Sequence, residues 1–241
     1  TRTNNAEAND RLGVLWQAGY HVEDSIGLGS AYCRLNDWQA AGTGNLLREH
    51  AYCLKNMIES LNPIFAITDQ TTKRETMYSH VIANLKAFIG DPDEDPTLLV
   101  YSYPGGACDQ KWYIDTLYLV AGANALILYD ETNMTPNHDA EIFEMVKWTA
   151  DFMWNELKVQ GYPVIQFQNC KDNLDDPTWN LPQTSPADDD LNLLYVDVWA
   201  WLYEKTCDTA YRQRADDLFS YGVQMGYQYL GYDGKHFNQN Y

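Results

Sequence analysis

Apolar residues recur at the spacing of α-helices through most of the 241-residue chain, and sustained strand-like alternation of apolar and polar residues is nearly absent. This pattern predicts an all-α protein. We expect the strongest helices at residues 45–61, 73–89, 110–129, 137–157, 188–205 and 209–229. Two weaker helices are predicted at residues 6–20 and 27–41.

Two parts of the chain repeat one pattern. Residues 125–133 (ALILYDETN) and residues 199–207 (WAWLYEKTC) each end a strongly apolar helix with a tyrosine and a short polar turn, and an amphipathic helix follows. Residues 61–88 form a looser third copy. The two clear copies are about 74 residues apart, which is the length of one antiparallel helix pair plus a long loop.

A helix that is apolar on all sides has to be buried, whereas an amphipathic helix can face water. The copies therefore predict an inner layer of first helices and an outer layer of second helices. Residues 201–219 (WLYEKTCDTAYRQRADDLF) resemble the hairpin of the (α/α) toroid superfamily, which includes many glycoside hydrolases and polysaccharide lyases. Since a full ring of six pairs usually needs a longer chain, the resemblance implies antiparallel hairpins in a toroid or a partial toroid.

Composition limits the partners of the chain. With 45% hydrophobic residues, we expect a single folded all-helical domain over residues 1–241, as a piece of a longer protein. A formal net charge of −18 opposes binding to nucleic acid or to an anionic membrane. The longest apolar run, residues 113–129, is interrupted by Asp115, Gly122 and Asn124, so no membrane span is predicted.

The chain has five cysteines, which are Cys33, Cys53, Cys108, Cys170 and Cys207. They are too widely spaced for a zinc site, so we expect no metal and no cofactor. An odd number leaves at least one free thiol, and one or two disulfides among the others are compatible with a secreted protein. Together with the acidic composition and the 18 Tyr and 8 Trp residues, this favours a secreted or periplasmic location.

Three aspartates, Asp188, Asp189 and Asp190, open the predicted helix at residues 188–205. Ser185 as N-cap and Pro186 at the first helical position make Asp188 a helix-capping acid. Asp197 differs, because it lies in a nearly continuous apolar run, and a buried carboxylate there would need a partner or a cavity. At ~100° per residue, Asp190, Asp197 and Trp201 share one stripe of an α-helix.

The companion inner helix carries a similar acid, Asp115. If the two copies are superposed at Tyr129 and Tyr203, Asp115 falls opposite Asp189. The resemblance implies a substrate cleft at this end, where the loops that enter the inner helices converge. Glycoside hydrolysis needs two carboxyl groups across a sugar, one as acid and one as base or nucleophile. The candidate catalytic residues are Asp115, Asp189, Asp190 and Asp197.

The same aspartates have a structural interpretation, in which each is buried and hydrogen-bonded to its neighbours. Aromatic residues in and beside the loops add to the functional interpretation, because aromatic rings stack on the C–H faces of sugars. The candidate substrate-binding residues are Tyr101, Tyr103, Trp112, Tyr113, Trp179 and Trp201. Such aromatics can also simply fix long loops to a helical bundle.

We therefore expect a glycoside hydrolase whose partner is an oligosaccharide or polysaccharide, with other domains of the same chain as possible neighbours. One alternative is a non-catalytic glycan-binding or structural domain of a secreted surface protein. A second is a polysaccharide lyase that uses Tyr78 and His80, with His50 and Arg48 on the partner helix. The acidic composition fits a uronate polymer poorly. A metal-diphosphate role for residues 188–190, as in terpene cyclases, lacks the matching second motif.

Overall fold

The computed structural model describes residues 47–61, 69, 71–89, 112–158, 161–165, 168–171 and 190–229. Its six α-helices are α1 (Leu47–Ser60), α2 (Thr71–Ile89), α3 (Thr116–Glu131), α4 (Asp139–Glu156), α5 (Val196–Thr206) and α6 (Thr209–Tyr229). Strands β1 (Trp112–Asp115) and β2 (Gln168–Lys171) pair antiparallel, and a 3₁₀ helix (Asp190–Tyr195) precedes α5. The predicted helical class is confirmed for these residues. The helices predicted at residues 6–20 and 27–41 lie outside them.

Helices α1, α2, α4 and α6 agree with their predicted positions within two residues, whereas α3 and α5 begin later than predicted. The prediction that α3 starts at residue 110 is wrong, because Trp112–Asp115 forms β1 and pairs with β2. Its aromatic and β-branched residues favour an extended backbone. Within the helix predicted at residues 188–205, residues 190–195 form a 3₁₀ helix, since a tighter first segment is common at helix starts.

Helix α3 is the centre of the described structure. It packs against α4, its partner in the hairpin, and also against α1, α2 and α5. Residues on every side of α3 are buried, as expected for a helix that is apolar all round. A Cβ atom at Gly122 would lie 3.0 Å from Leu47 Cδ1 and 3.1 Å from Leu85 Cδ2, so glycine permits the close approach of α1 and α2 to α3.

Two of the neighbours of α3, the helices α1 and α5, differ from it in having one exposed stripe each. On α1 this stripe includes Lys55 and Glu59, and on α5 it consists of Asp197, Ala200 and Glu204. These α5 positions are spaced by three and four residues, so they share one helix face. Opposite faces of both helices belong to the core, with Leu54 on α1 and Trp199 on α5 fully buried.

Side-chain bonds join α3 to α5 at both ends. Near the start of α3 the hydroxyl groups of Thr116 and Tyr195 are 2.6 Å apart. Near its end, Lys205 Nζ lies 2.6 Å from Asp130 Oδ2. Because the N-terminal ends meet and the C-terminal ends meet, α3 and α5 run parallel.

A buried arginine joins the start of α2 to the end of α3. Arg74 is 1% exposed, and its Nη1 donates to the hydroxyl of Tyr129 at 2.7 Å. Its Nη2 donates to the carbonyl oxygen of Thr135 at 2.8 Å and to Asp69 at 3.0 Å. Although burial acts to lower the pKa of Arg74, the hydrogen bonds to Asp69 raise it above its ordinary value, so the guanidinium stays charged.

The network continues to the start of α4 through Glu75. This carboxylate accepts hydrogen bonds from the hydroxyl of Tyr129 and, at 2.7 Å, from His138 Nε2. The His138 ring stacks on Tyr78 with centroids 4.3 Å apart, and the Tyr78 hydroxyl donates to Glu141 at 2.7 Å. Three helices are thus connected through two carboxylates and the aromatic rings between them.

Two further findings concern the cysteines and the hydropathy of the described residues. Cys53 forms a disulfide bond, and Cys207 is an exposed free thiol in the turn between α5 and α6. In the parts of the chain that the structure describes, no helix combines the length and the apolar character that crossing a membrane requires.

Substitution of Arg74 tests the network. We expect Arg74→Ala to lower the free energy of unfolding by about 3 kcal/mol, because it leaves Tyr129 and Glu75 without their buried partner. Urea denaturation measures this loss. Arg212→Ala is the matched control, since Arg212 is 63% exposed and pairs with Asp216 at 3.5 Å, and we expect it to cost less than about 1 kcal/mol. Equal losses in the two variants would contradict a structural role for the buried network.

Candidate functional site

Helices α1, α3 and α5 share an open groove of about 350 Å³. Glu59 lines it from α1, Glu131 from α3, and Asp197 and Glu204 from α5. We call this groove, defined by these four residues, the acidic groove. Carboxylates from three separate helices therefore face one space that is open to solvent.

The acidic groove also has apolar and amide surface. Ile127 and Leu128 of α3 and Ala200 of α5 contribute apolar surface between the carboxylates. The amide of Asn124 lies in the same wall, with its Nδ2 3.5 Å from the carbonyl oxygen of Leu194. A polyhydroxylated ligand with apolar faces matches this mixture of surfaces better than a purely ionic ligand does.

Trp201 forms part of the groove wall. The residue is 4% exposed. Its ring centroid is 6.2 Å from that of Phe143, and Lys205 Nζ lies 5.2 Å from the Trp201 ring centroid. Among the described residues the indole Nε1 has no hydrogen-bond acceptor. A buried N–H group without an acceptor costs about 1–3 kcal/mol, so this atom is unusual in a packed protein.

The charge of the acidic groove is negative. Of the described residues that line it, Lys55 is the one cation, against four carboxylates. Lys55 Nζ lies 3.8 Å from Glu59 Oε1 one helical turn away, and both side chains are about half exposed. One carboxylate is therefore partly neutralised, and the other three leave an excess of negative charge.

The relative positions of the carboxylates follow from the helix contacts. Leu47 meets Gly122, Glu59 lines the same groove as Glu131, and Asp130 meets Lys205, so α1, α3 and α5 run parallel, with α1 ending about one turn beyond α3 and α5. Glu59, Glu131 and Glu204 each lie within the last turn of their helix. Asp197 is seven residues before Glu204, which is about 10 Å along α5.

The prediction that Asp197 is a buried carboxylate is wrong, because the residue is exposed. With Ala200 and Glu204 it forms the solvent-facing stripe of α5, so no desolvation cost arises. Asp197 and Trp201 line the same groove, as their shared stripe predicted. The prediction that Asp190 shares this stripe is wrong. Residues 190–195 form a 3₁₀ helix, which has a different number of residues per turn from an α-helix.

Asn192, the other polar residue of this apolar run, is the one that is buried. Its Oδ1 accepts from the backbone N–H of Ile165 at 2.7 Å, and its Nδ2 donates to the carbonyl oxygen of Ile165 at 3.2 Å. The amide therefore fastens residues 161–165 to the 3₁₀ helix. A carboxylate could not make both bonds, because it has no N–H to donate.

The remaining candidates divide into two groups. Asp115, Trp112 and Tyr113 belong to β1, where Asp115 pairs with Gln168 directly before α3 begins. Asp189, Tyr101, Tyr103 and Trp179 lie outside the described residues. The acidic groove begins at Asn124, about 14 Å further along α3 than Asp115. It therefore lies towards the C-terminal ends of these helices, whereas the resemblance placed the cleft at the N-terminal ends.

The residues considered for a lyase do not form one set. The hydroxyl of Tyr78 donates to Glu141, and burial followed by this bond raises the pKa of Tyr78 above its ordinary value. A tyrosine base needs the opposite shift. The ring of His80 instead lies against His50, with centroids 4.9 Å apart, and His50 Nδ1 is 3.1 Å from the amide nitrogen of Asn84. Arg48 belongs to α1, but its side chain is outside the described part.

Two other features of the described residues are weaker candidates. An open concavity of about 420 Å³ lies beside Phe143, Glu144 and Trp148, but all its described lining belongs to α4. Within the residues that the structure describes, no three His, Cys, Asp or Glu side chains have the arrangement of a metal site. The acidic groove is therefore the site on which we base the functional argument.

Sequence reasoning missed Glu59, Glu131 and Glu204. Glu131 follows Tyr129 by two residues and Glu204 follows Tyr203 directly, in the segments that were interpreted as turns. An acid within two residues of the repeated tyrosine in both copies was a usable signal, although Glu131 and Glu204 are not equivalent positions.

The chain matches no protein-family model, no curated protein and no solved structure. The functional argument therefore rests on the geometry and the charge of the acidic groove.

Acid should weaken the packing of α1 against α2. Burial, and then the charge of His50, lower the pKa of His80 to about 4, from an ordinary value near 6.5. The unfolded chain therefore binds more protons than the folded chain between these values, and stability is complete above pH 6.5 and falls towards pH 4. For His80, which is 8% exposed, we expect a loss of roughly 3 kcal/mol across this window.

Urea denaturation of the wild type and of His80→Gln at a series of pH values measures this effect. The variant should lack the part of the slope that lies between pH 6.5 and 4. Asp69 and Asp151 have pKa values held below the ordinary carboxyl range, so their contribution to stability is lost only in stronger acid. Identical slopes in the two proteins would show that His80 does not titrate in this window.

Proposed function

We propose that this chain is a carbohydrate-active helical domain, and that it hydrolyses a glycan bound in the acidic groove. The observation that carries the proposal is the presence of carboxylates from α1, α3 and α5 around one open groove that also has apolar and amide surface. Sugars present apolar C–H faces and hydroxyl groups, and glycoside hydrolysis needs two carboxyl groups near one bond.

We propose Glu131 and Glu204 as the reacting pair. Both lie at the C-terminal ends of parallel neighbouring helices, and packed helices have axes about 8–10 Å apart. This spacing brings carboxyl groups on adjacent helices into the range of about 5–10 Å that glycosidases use. One carboxylic acid would protonate the glycosidic oxygen, while the other would activate water or attack the sugar carbon.

Asp197 is proposed as a binding group for a neighbouring sugar unit, because it lies about 10 Å further along the same groove wall. Trp201 and Asn124 add aromatic and amide surface between them. The pairing of Asp115 with Asp189 or Asp190 stays a prediction from the sequence, since the structure does not describe these three side chains.

The proposed architecture is a partial (α/α) toroid with α1, α3 and α5 as inner helices and α2, α4 and α6 as outer helices. Two sets of contacts support it. Helix α3 packs against both α1 and α5, and α2 packs against α4. Between α4 and α6, Arg214 Nη1 donates to Asp151 Oδ1 at 2.9 Å. In this arrangement the acidic groove lies on the inner helices.

A secreted or periplasmic location is part of the proposal. The disulfide bond of Cys53 supports it, because disulfides form and persist mainly in oxidising compartments. An enzyme in such a compartment meets polymeric glycans that do not enter cells.

The proposal is tested on a panel of glycans, with reducing ends and the absorbance of unsaturated products measured together. Reducing ends alone are expected. Both signals would indicate a lyase, and binding without either signal would favour the non-catalytic alternative. A panel that gives neither products nor binding would reject the whole proposal.

Substitutions of the groove residues then test which of them take part in hydrolysis. We expect Glu131→Gln and Glu204→Gln each to lower kcat by about 10²- to 10⁴-fold, because each removes a proton-transfer group. Asp197→Asn should mainly raise KM. Glu156→Gln is the matched control, since Glu156 is exposed at the end of α4 and does not line the groove. Unchanged kcat in both groove variants would remove these residues from the mechanism.

A further inference from the structure

The turn between α3 and α4 contains a short motif that is separate from the acidic groove. Asn133, Met134 and Thr135 form Asn-X-Thr, the acceptor motif for N-linked glycosylation, and the middle residue is not proline. No other asparagine of the sequence is followed two positions later by Ser or Thr. A three-residue motif also occurs by chance, so its position in the fold decides whether it is usable.

The two residues that define the motif are exposed. Asn133 has a left-handed backbone with a φ of 51°, which asparagine adopts more readily than most residues do. The hydrogen bond from its amide Nδ2 to the carbonyl oxygen of Glu131 is long, at 3.4 Å. Glycosylation leaves one N–H on Nδ2, so this bond is compatible with an attached sugar. A glycan on Asn133 therefore requires no rearrangement of the core.

The turn is fixed to the core through its backbone. The carbonyl oxygen of Thr135 accepts from Arg74 Nη2 at 2.8 Å, and that of Pro136 accepts from the hydroxyl of Tyr129 at 3.0 Å. These bonds do not use the side chains of Asn133 and Thr135. The fold thus holds the motif in place and leaves the acceptor residue at the surface.

A second observation concerns the compartment in which the chain matures. Cys53 forms a disulfide bond, and disulfides form and persist in secreted proteins and in the lumen of the endoplasmic reticulum. N-linked glycans are transferred in the same lumen. A chain that acquires its disulfide there also meets the glycosyl donor and the transferase.

We propose that Asn133 is an N-glycosylation acceptor, so that the protein carries a glycan on the turn between α3 and α4. In this step Nδ2 attacks the anomeric carbon of an oligosaccharide that is carried on a lipid diphosphate. The bond between that carbon and the diphosphate oxygen breaks, the lipid diphosphate leaves with the electron pair, and one Nδ2 proton passes to a base. The inference does not depend on glycan hydrolysis, because it uses neither the groove nor its carboxylates.

Pro136 follows the motif directly and limits the expected occupancy. A residue that precedes proline is restricted to extended backbone conformations, which limits how Thr135 is presented to the transferase. We therefore expect a glycan on only part of the wild-type molecules and on a larger part of Pro136→Ala. This variant keeps the carbonyl oxygen that bonds to Tyr129.

The test is expression of the chain through the secretory pathway of a eukaryotic cell. We expect a fraction of the wild type to migrate more slowly in electrophoresis and to lose this shift after treatment with peptide N-glycosidase. Because that enzyme converts a glycosylated asparagine to aspartate, tandem mass spectrometry should find aspartate in place of Asn133. A wild-type chain without a glycan overturns the inference.

Substitutions in the turn identify the attachment site. Asn133→Gln and Thr135→Ala should each abolish the shift, whereas Thr135→Ser keeps the motif and should retain it. Asn137→Gln is the matched control, since Asn137 is exposed in the same turn but is not followed by the motif. Thermal unfolding confirms that each variant is folded. A shift that persists in both Asn133→Gln and Thr135→Ala would place the glycan elsewhere and overturn the inference.

Discussion

The guanidinium of Arg74 holds together the ends of three helices. Its bonds to Asp69, Tyr129 and the carbonyl oxygen of Thr135 connect the start of α2 with the end of α3 and the turn that follows it. Glu75 then extends the network to His138 and the start of α4. Since a buried charge is tolerated only with partners, these groups have to assemble together, and the end of α3 is fixed as a result.

The position of α3 in turn determines the site. Helices α1 and α5 both pack on its surface, α1 with a close approach at Gly122 and α5 with the ion pair of Lys205 and Asp130. The groove exists because α1 and α5 each keep one polar stripe while α3 has none of comparable length. The candidate site is therefore a product of helix packing, and its residues come from three hairpins far apart in the chain.

Local pattern was sufficient to predict the helical class, because each helix carries a long apolar face that has to be buried. The positions of α1, α2, α4 and α6 followed from the same periodicity. The pattern failed at two places. The exposed stripe of Asp197, Ala200 and Glu204 was not recognised, because its middle residue is apolar. Helix α3 begins only at Thr116, because the four residues before it pair with β2. Arg74 and Glu75 resembled ordinary surface charges, since their partners Tyr129 and His138 lie 54 to 63 residues away.

The parallel arrangement of α1, α3 and α5 has an electrostatic consequence that does not depend on their side chains. Each helix ends near the groove carboxylates, at Ser60, Glu131 and Thr206. The aligned peptide dipoles of a helix place a partial negative charge of about half an electron at its C-terminal end, where backbone carbonyl groups lack partners within the helix. Three such ends side by side mean that the backbone itself holds a negative potential over the groove, even after the glutamates there are replaced by glutamine.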